Sequence, residues 1–422
     1  MAITRVRISN FKSFKDQDVQ LGKFNVLIGA NASGKSNFIQ VFRFLRDIAT
    51  DGLDNAISMQ GGTPYLRNLK IGASNNLSIE LVSDEEVEPG VQFLWPIRVK
   101  VRKSVGIKVQ ESVYRFSLKF RIKGPGFEIA EDSLRQKGDF VRLTIQQQKL
   151  KEKEKLNEGG IAFSNVGGRI QVELNAPDSV GIRKEDITPL SWGEWRLPPK
   201  TLLLSSEWFP SPLGRVLSRM SIYDFDPKLP KKAVPITGKA ELEGDGSNLA
   251  LILKNVLASK ERRRKFANLM KDLLPFVDDL DTEKFADKSL LFKLRETYFA
   301  KEYLPASLIS DGTIDLTALI AALYFEKKHL TIIEEPERNI HPYLIFKVVQ
   351  MMKEASQQKQ IIISTHNPEV VKYADVNDLL LVSRDREGFS TICRPSEKEE
   401  VKTFLQNEIG IEDLYVQNLL GI

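Results

Sequence analysis

Phe24-Asn25-Val26-Leu27-Ile28-Gly29-Ala30-Asn31-Ala32-Ser33-Gly34-Lys35-Ser36-Asn37 reads as a buried strand that runs into a glycine-rich turn and then a helix. The apolar run Phe24 to Ile28 lacks the alternation of a half-exposed strand, so it belongs in a sheet covered on both faces. Gly29 to Ser36 fits the spacing G-x-x-x-x-G-K-[ST], whose glycines let successive backbone N–H groups curl toward a phosphate. Behind the turn, Phe38, Val41, Phe42 and Leu45 fall at i, i+3, i+4 and i+7, one face of a helix whose N-terminus favours anions. In that setting Lys35 is expected to reach the β and γ oxygens of a nucleotide, and the Ser36 hydroxyl to ligate Mg²⁺.

The same reading returns far downstream. Leu316, Leu319, Ile320 and Leu323 mark a helix, Leu330 to Ile333 a strand, Ile345, Val348, Val349 and Met352 a helix, and Ile361 to Ile363 a strand. Strand and helix alternate, which predicts an α/β sheet. Between the two blocks, Leu77 to Leu81, Val91 to Val101, Val113 to Ile122, Phe140 to Ile145 and Ile170 to Leu174 read as strands joined by turns, an antiparallel lobe. Leu249 to about Leu280 reads as helical, and the charged run Lys149 to Lys155 as a solvated loop or helix turn. No internal repeat interrupts this order.

At 422 residues the chain is long enough for two or three lobes of roughly 150 residues each. Apolar residues make up 42% and charged residues 28%, ordinary for a globular protein. A net charge of +5, from 61 Lys and Arg against 56 Asp and Glu, neither demands nor forbids a polyanionic partner. A single Cys393 and three histidines exclude a disulfide framework and a structural zinc site. With no run of 18 apolar residues and no signal-peptide core, a cytoplasmic location without membrane contact is expected.

Leu330-Thr331-Ile332-Ile333-Glu334-Glu335-Pro336 delivers two carboxylates at the carboxyl edge of a strand, where ligands bind in open α/β sheets. Alternation sends them apart: Glu334 is assigned to magnesium and Glu335 to polarising the attacking water. Ile361-Ile362-Ile363-Ser364-Thr365-His366 ends the next strand with an imidazole positioned to sense the γ-phosphate. His341 suits packing beside the following helix equally well, and His329 reads as structural.

Together these strings resemble the ABC-type ATPases of the RecF, SMC and OLD group. Ile8-Ser9-Asn10-Phe11-Lys12-Ser13-Phe14 is similar to its "NF(K/R)SF" turn, Gly29 to Asn37 to "GxNxSGKSN", Ile309-Ser310-Asp311-Gly312-Thr313 to the "LSDGT" signature, Glu334-Glu335-Pro336-Glu337 with His341-Pro342 to "EEPExxLHP", and Ser364 to Pro368 to "STHxP". Tyr223 to Pro227 and Gly244 to Leu249 look like strings of RecF-like bacterial AAA family ATPases. The resemblance implies an ABC-type P-loop NTPase head with a mixed central sheet, an antiparallel β subdomain and a short helical arm. The expected segments are 1–75 for the first half of the head, 76–240 for the β-rich insertion, 241–300 for the arm and 301–422 for the second half.

It implies further that Gly29, Ala30, Asn31, Ala32, Ser33, Gly34, Lys35, Ser36 and Asn37 cradle ATP, with Lys12 and Ser13 as additional contacts. Ser310, Asp311 and Gly312 stand before a helix expected to start near Thr313 and run about 15 residues, roughly 22 Å. The resemblance has them grip the γ-phosphate held by a second copy, so that ATP closes a head-to-tail homodimer. Gln60, before Gly61-Gly62, is a weak candidate for a lid glutamine; a bare turn explains it equally well.

Two strands carry basic faces. Tyr114, Phe116, Leu118, Phe120 and Ile122 alternate with Arg115, Lys119, Arg121 and Lys123, and Arg98, Lys100 and Arg102 with Val99 and Val101. Lys260, Arg262, Arg263, Arg264 and Lys265 form a helical cluster. Non-specific DNA binding is one reading and a solvated face balanced by acids the other. Only 56 residues follow His366, so any nuclease or effector is expected on a separate polypeptide. The sequence therefore predicts a Mg-dependent ATPase acting as a DNA-linked switch in repair or phage defence. Its rivals are a nucleotide-sensing module that controls an effector or toxin with little turnover, and a transporter motor subunit. A GTPase is disfavoured by the lack of an N-K-x-D string.

Overall fold

In the computed structural model, residues 2–420 are described apart from 85, 89, 90, 93, 99–103, 123, 125, 147, 148, 184, 185, 187–195, 207–210, 286, 287, 300, 407 and 408. By internal contacts the chain forms two compact units, one of residues 1–22, 37–219 and 384–392, the other of 23–36, 220–383 and 393–422. Among the described residues no helix is long and apolar enough to cross a membrane.

The second unit is built on parallel strands in the order Ser221–Tyr223, Leu330–Glu334, Gln360–Thr365, Phe24–Ile28 and Leu379–Arg384. Their apolar runs are what a sheet covered on both faces requires: Phe24 to Ile28 and Ile361 to Ile363 are buried throughout. Asn25, the polar residue within that run, donates from Nδ2 to the Ile361 carbonyl at 3.4 Å. Helices Leu249–Leu257, Asp311–Ile320 and Pro342–Ala355 contribute to one apolar core with these strands. The helix begun at Asp311 continues as a π turn over Ala321–Phe325. Its last carbonyls are held by Lys359, whose Nζ donates to Ala322 at 3.1 Å and Glu326 at 2.9 Å. Burial pulls that amine down to about 8.

The first unit is an antiparallel sheet ordered Arg169–Asn175, Lys149–Val166, Phe127–Gln146, Ser104–Phe120, Leu77–Asp84, Ile3–Phe11 and Phe14–Gln20, with Leu94–Arg98 paired to Ser104–Phe120. Tyr114, Phe116, Leu118 and Phe120 are buried as their alternation predicts. Phe38, Val41, Phe42 and Leu45 of helix Lys35–Asp51 are fully buried, with Phe38 edge-on to Phe14 at 6.4 Å.

Three expectations are corrected. Lys149 to Lys155 is neither loop nor helix turn but the start of strand Lys149–Val166. Cross-strand charges stabilise it there: Glu152 meets Lys108 at 3.3 Å, Glu154 meets Arg142 at 2.9 Å and Lys155 meets Asp139 at 2.9 Å. The helical stretch ends at Leu273, because Pro275 cannot continue it, and strand Val277–Phe285 follows. Ile122 does not share the apolar face; it lies beyond the strand end and is 88% exposed. On the basic face Arg115 sits between Glu80 and Glu131, so acids neutralise it. Lys100 and Arg102 lie outside the described residues, and Arg98 is described for its backbone alone.

Asp132 is the deepest charge in the sheet, 2% exposed. It accepts from the Tyr114 hydroxyl at 3.1 Å, Asn165 Nδ2 at 2.9 Å and the Leu203 N–H at 2.8 Å, which docks the segment after Leu202 onto the strands. Burial pushes its carboxyl up to about 6, against the pull of those donors. A native pKa above the unfolded one means the stabilising contribution is complete below the unfolded value and is lost as pH rises through about 6. Asp132→Asn keeps the Asn165 and Leu203 bonds through its carbonyl oxygen. Its urea midpoint relative to wild type is therefore expected to rise between about pH 4 and pH 7.5, a relative gain on the order of 2 kcal/mol in unfolding free energy. A difference that is flat with pH would reject the assignment.

Candidate functional site

Because strand Phe24–Ile28 is paired in parallel on both sides, the turn after it emerges at the same edge as the ends of its neighbours. The turn needs its unusual backbone: φ is +152° at Gly29, +62° at Ala32 and +120° at Gly34. A Cβ on Gly29 would lie 2.2 Å from the Val382 carbonyl oxygen, so only glycine fits. Asn31 and Ser36 are exposed, whereas Ser33 and Lys35 are buried. Lys35 Nζ donates back to the Gly29 and Ala30 carbonyls at 2.6 and 3.1 Å. Burial lowers its pKa, partly offset by the charges of Glu335 and Glu337. Those two carboxylates therefore lie within electrostatic reach of the loop lysine.

Glu334 closes strand Leu330–Glu334, paired in register with Ser364 of the next strand. The ladder extends one bond further, from the Glu335 N–H to the Ser364 carbonyl at 2.9 Å, and there the backbone turns to φ +45°. A left-handed glutamate is strained by about 1–3 kcal/mol. Side-chain bonds fix it: Oε1 lies 2.7 Å from His366 Nδ1 and Oε2 accepts from Arg338 Nη2 at 3.1 Å. Burial alone would raise the Glu335 pKa, but the bonds from Arg338 and His366 outweigh it and the carboxyl sits below its ordinary value.

Glu337 is the residue whose place the sequence did not assign. Only 6% exposed, it accepts from Thr365 Oγ1, and its Oε2 is buried with no hydrogen-bond partner among the described residues. Burial raises its pKa. Its string Glu334-Glu335-Pro336-Glu337 is visible in the sequence, but a third carboxylate carries no local mark of burial. His341 caps helix Pro342–Ala355, its Nδ1 accepting from the Tyr343 N–H at 3.4 Å.

The signature helix begins at Asp311, two residues earlier than expected. Ser310 is its exposed N-cap, accepting from the Thr313 N–H at 3.3 Å, and Asp311 pairs with Lys231 at 2.5 Å. Gly312 is required, since a Cβ would come 2.4 Å from the Asn339 carbonyl. Asn339 also donates to Asp315 at 2.9 Å, whose carboxyl burial pushes up to about 6. In the other unit, Ser13 Oγ is bonded by Asn37 Nδ2 and Ser390 Oγ, both at 2.8 Å. Lys12 adopts φ +46° and burial lowers its pKa. Gln60 is buried against Gln40 at 3.3 Å as the end cap of a short helix.

Ser36, exposed at the start of helix Lys35–Asp51, and Glu334, at the end of the strand next but one to Phe24–Ile28, both offer the oxygen donors that Mg²⁺ prefers. The residues present therefore suit the ion.

Residues 24–372 match a family described as AAA domain, putative AbiEii toxin, Type IV TA system. No curated protein matches the chain. Among solved structures, the chain is similar to an Smc head domain with an extended coiled coil, from Pyrococcus furiosus, bound to the C-terminal domain of ScpA. Identity is 16%, TM-score 0.50, and the match covers 96% of this chain and 99% of that one. It is also similar to an SmcHead bound to the C-winged helix domain of ScpA, at 16% identity and TM-score 0.49, covering 93% and 97%. The Pyrococcus likeness shows the fold alone, that of an Smc head domain.

Lys35→Met should weaken binding of a fluorescent ATP analogue at least about tenfold, the weight of one charge-assisted contact of about 1.4 kcal/mol or more. Binding within about twofold of wild type in an equilibrium titration would remove Lys35 from the site.

Proposed function

This chain belongs to that AAA-domain family, and on that premise we propose that it is a Mg-dependent ATP hydrolase whose heads dimerise around the nucleotide. One observation carries the reading: the glycine turn, Lys35, Glu335 and His366 meet at one edge of a parallel sheet, with His366 2.7 Å from Glu335. The nine residues Gly29 to Asn37 cradle the phosphates and Lys35 leaves its loop carbonyls for the β and γ oxygens. Ser36 and Glu334 would hold Mg²⁺, which would neutralise charge on the phosphates. Glu335 orients the attacking water and accepts its proton, and His366 donates to the γ-phosphate from the ring it now turns toward Glu335. Ser310, Asp311 and Gly312 supply the second copy's half of the site, an exposed helix entrance suited to an anion.

The ATP-driven closure acts as a cytoplasmic, DNA-linked switch in repair or phage defence, with a nuclease or effector as the partner it controls. Ser13 supports the loop helix through the bond it accepts from Asn37. A second reading, a nucleotide sensor that governs a toxin with little turnover, is favoured by the ligation of both Glu335 oxygens and by the toxin named in the family's description.

Glu335→Gln should cut ATP turnover about a hundredfold or more while leaving ATP binding intact. With ATP and Mg²⁺ it should elute as a dimer in size-exclusion chromatography with light scattering. Elution as a monomer alone rejects the shared site. Wild type that binds ATP but releases no phosphate, with or without DNA, selects the sensor.

A further inference from the structure

Tyr223-Asp224-Phe225-Asp226-Pro227 and Gly244-Asp245-Gly246-Ser247-Asn248-Leu249 form one structural unit. Asp224 N–H donates to the Gly244 carbonyl at 2.8 Å and Asp226 N–H to the Asp245 carbonyl at 3.1 Å. Gly244 must lack a side chain, because a Cβ there would lie 2.7 Å from the Ile222 carbonyl. The second string thus props the first at the carboxyl end of strand Ser221–Tyr223. That strand pairs in parallel with Leu330–Glu334, Tyr223 opposite Ile333, which sets Asp224 beside the strand end that carries Glu334.

The loop so placed touches two parts of the candidate site. Arg338 Nη1 donates to Asp224 Oδ1 at 3.1 Å and to the Phe225 carbonyl at 3.5 Å, while its Nη2 donates to Glu335 Oε2 at 3.1 Å. From the same loop Lys231 pairs with Asp311 at the entrance of the signature helix. With Oε1 facing His366 and Oε2 facing Arg338, each oxygen of Glu335 already accepts one bond, and the guanidinium's pull leaves the carboxylate a poorer acceptor of a water proton than it is once released. Arg338 alone among these partners already holds a second carboxylate, so it can let go of Glu335 without leaving its own charge unpaired.

We propose that Arg338 is a positioning residue that latches Glu335 in the nucleotide-free chain, with Asp224 the carboxylate that keeps the arginine when the latch opens. This rests on Glu335 being the water-orienting group. Glu335 and Arg338 are both partly solvated, 28% and 43% exposed, so the latch is a weak one that nucleotide binding can break.

The test is steady-state ATP hydrolysis by the full chain with Mg²⁺, in wild type, R338Q, R338K, D224N and R338Q/D224N, with E335Q as reference. R338Q should raise kcat about two- to fivefold, the range that an exposed ion pair supplies, with KM for ATP unchanged within about twofold. R338K, which keeps the charge but loses the rigid fork that spans both carboxylates, should fall between, and carries the comparison if R338Q unfolds. D224N should lower kcat by a similar factor, and the double variant should run at the R338Q rate, since nothing remains to be latched. An inactive wild type that R338Q activates supports the latch equally. If kcat is unchanged or lower in R338Q while E335Q abolishes turnover, the latch falls and the catalytic assignment stands. Full turnover in E335Q removes both, as does a chain in which no variant hydrolyses ATP.

Discussion

Parallel pairing of five short strands is the constraint on which the candidate site depends. Phe24–Ile28 lies between Gln360–Thr365 and Leu379–Arg384, and Leu330–Glu334 lies one strand further along. Parallel strands point their carboxyl ends one way, so chain positions some three hundred residues apart deliver their polar termini to one edge. Each strand is apolar because it is buried on both faces, and each turns polar where it leaves the sheet. The site is thus the set of places where five buried runs end.

Charge and strain are concentrated at that edge. Lys35 feels the charges of Glu335 and Glu337 while bonded to its own loop carbonyls, Glu335 is held in a left-handed backbone, and Glu337 is buried with one oxygen that has no hydrogen-bond partner among the described residues. Such features persist only where the surroundings over-determine them. Here the surroundings are named: Ser364 on the backbone of Glu335, Thr365 on the carboxyl of Glu337, His366 and Arg338 on the carboxyl of Glu335. Three consecutive residues of one strand end therefore set the geometry of the two acids on the next.

The antiparallel unit follows other rules. Its long strands bury one apolar face, carrying Tyr114, Phe116, Leu118 and Phe120, while exposed pairs such as Arg142 with Glu154 match charge on the other and one buried acid, Asp132, ties a distant segment to the sheet. Nothing local distinguishes Asp132 from the acids around it; the three donors that make it structural come from positions 114, 165 and 203.

Much of the site was legible from local pattern. The glycine turn between an apolar strand and an amphipathic helix, the paired glutamates after Leu330 to Ile333 and the histidine after Ile361 to Ile363 each carry their own period and spacing, because the energies that select them act between near neighbours. The run Lys149 to Lys155 misleads for the converse reason: nothing local marks it as a strand, and the opposite charges that match it, on Lys108, Asp139 and Arg142, come from other strands of the sheet. The sequence by itself determined the α/β class, the glycine turn between strand and helix and the acids at strand ends. Tertiary structure alone decided strand order, the burial of Glu337 and Asp132, and the meeting of Arg338 with both Glu335 and Asp224, since those depend on which distant segments neutralise and cover one another.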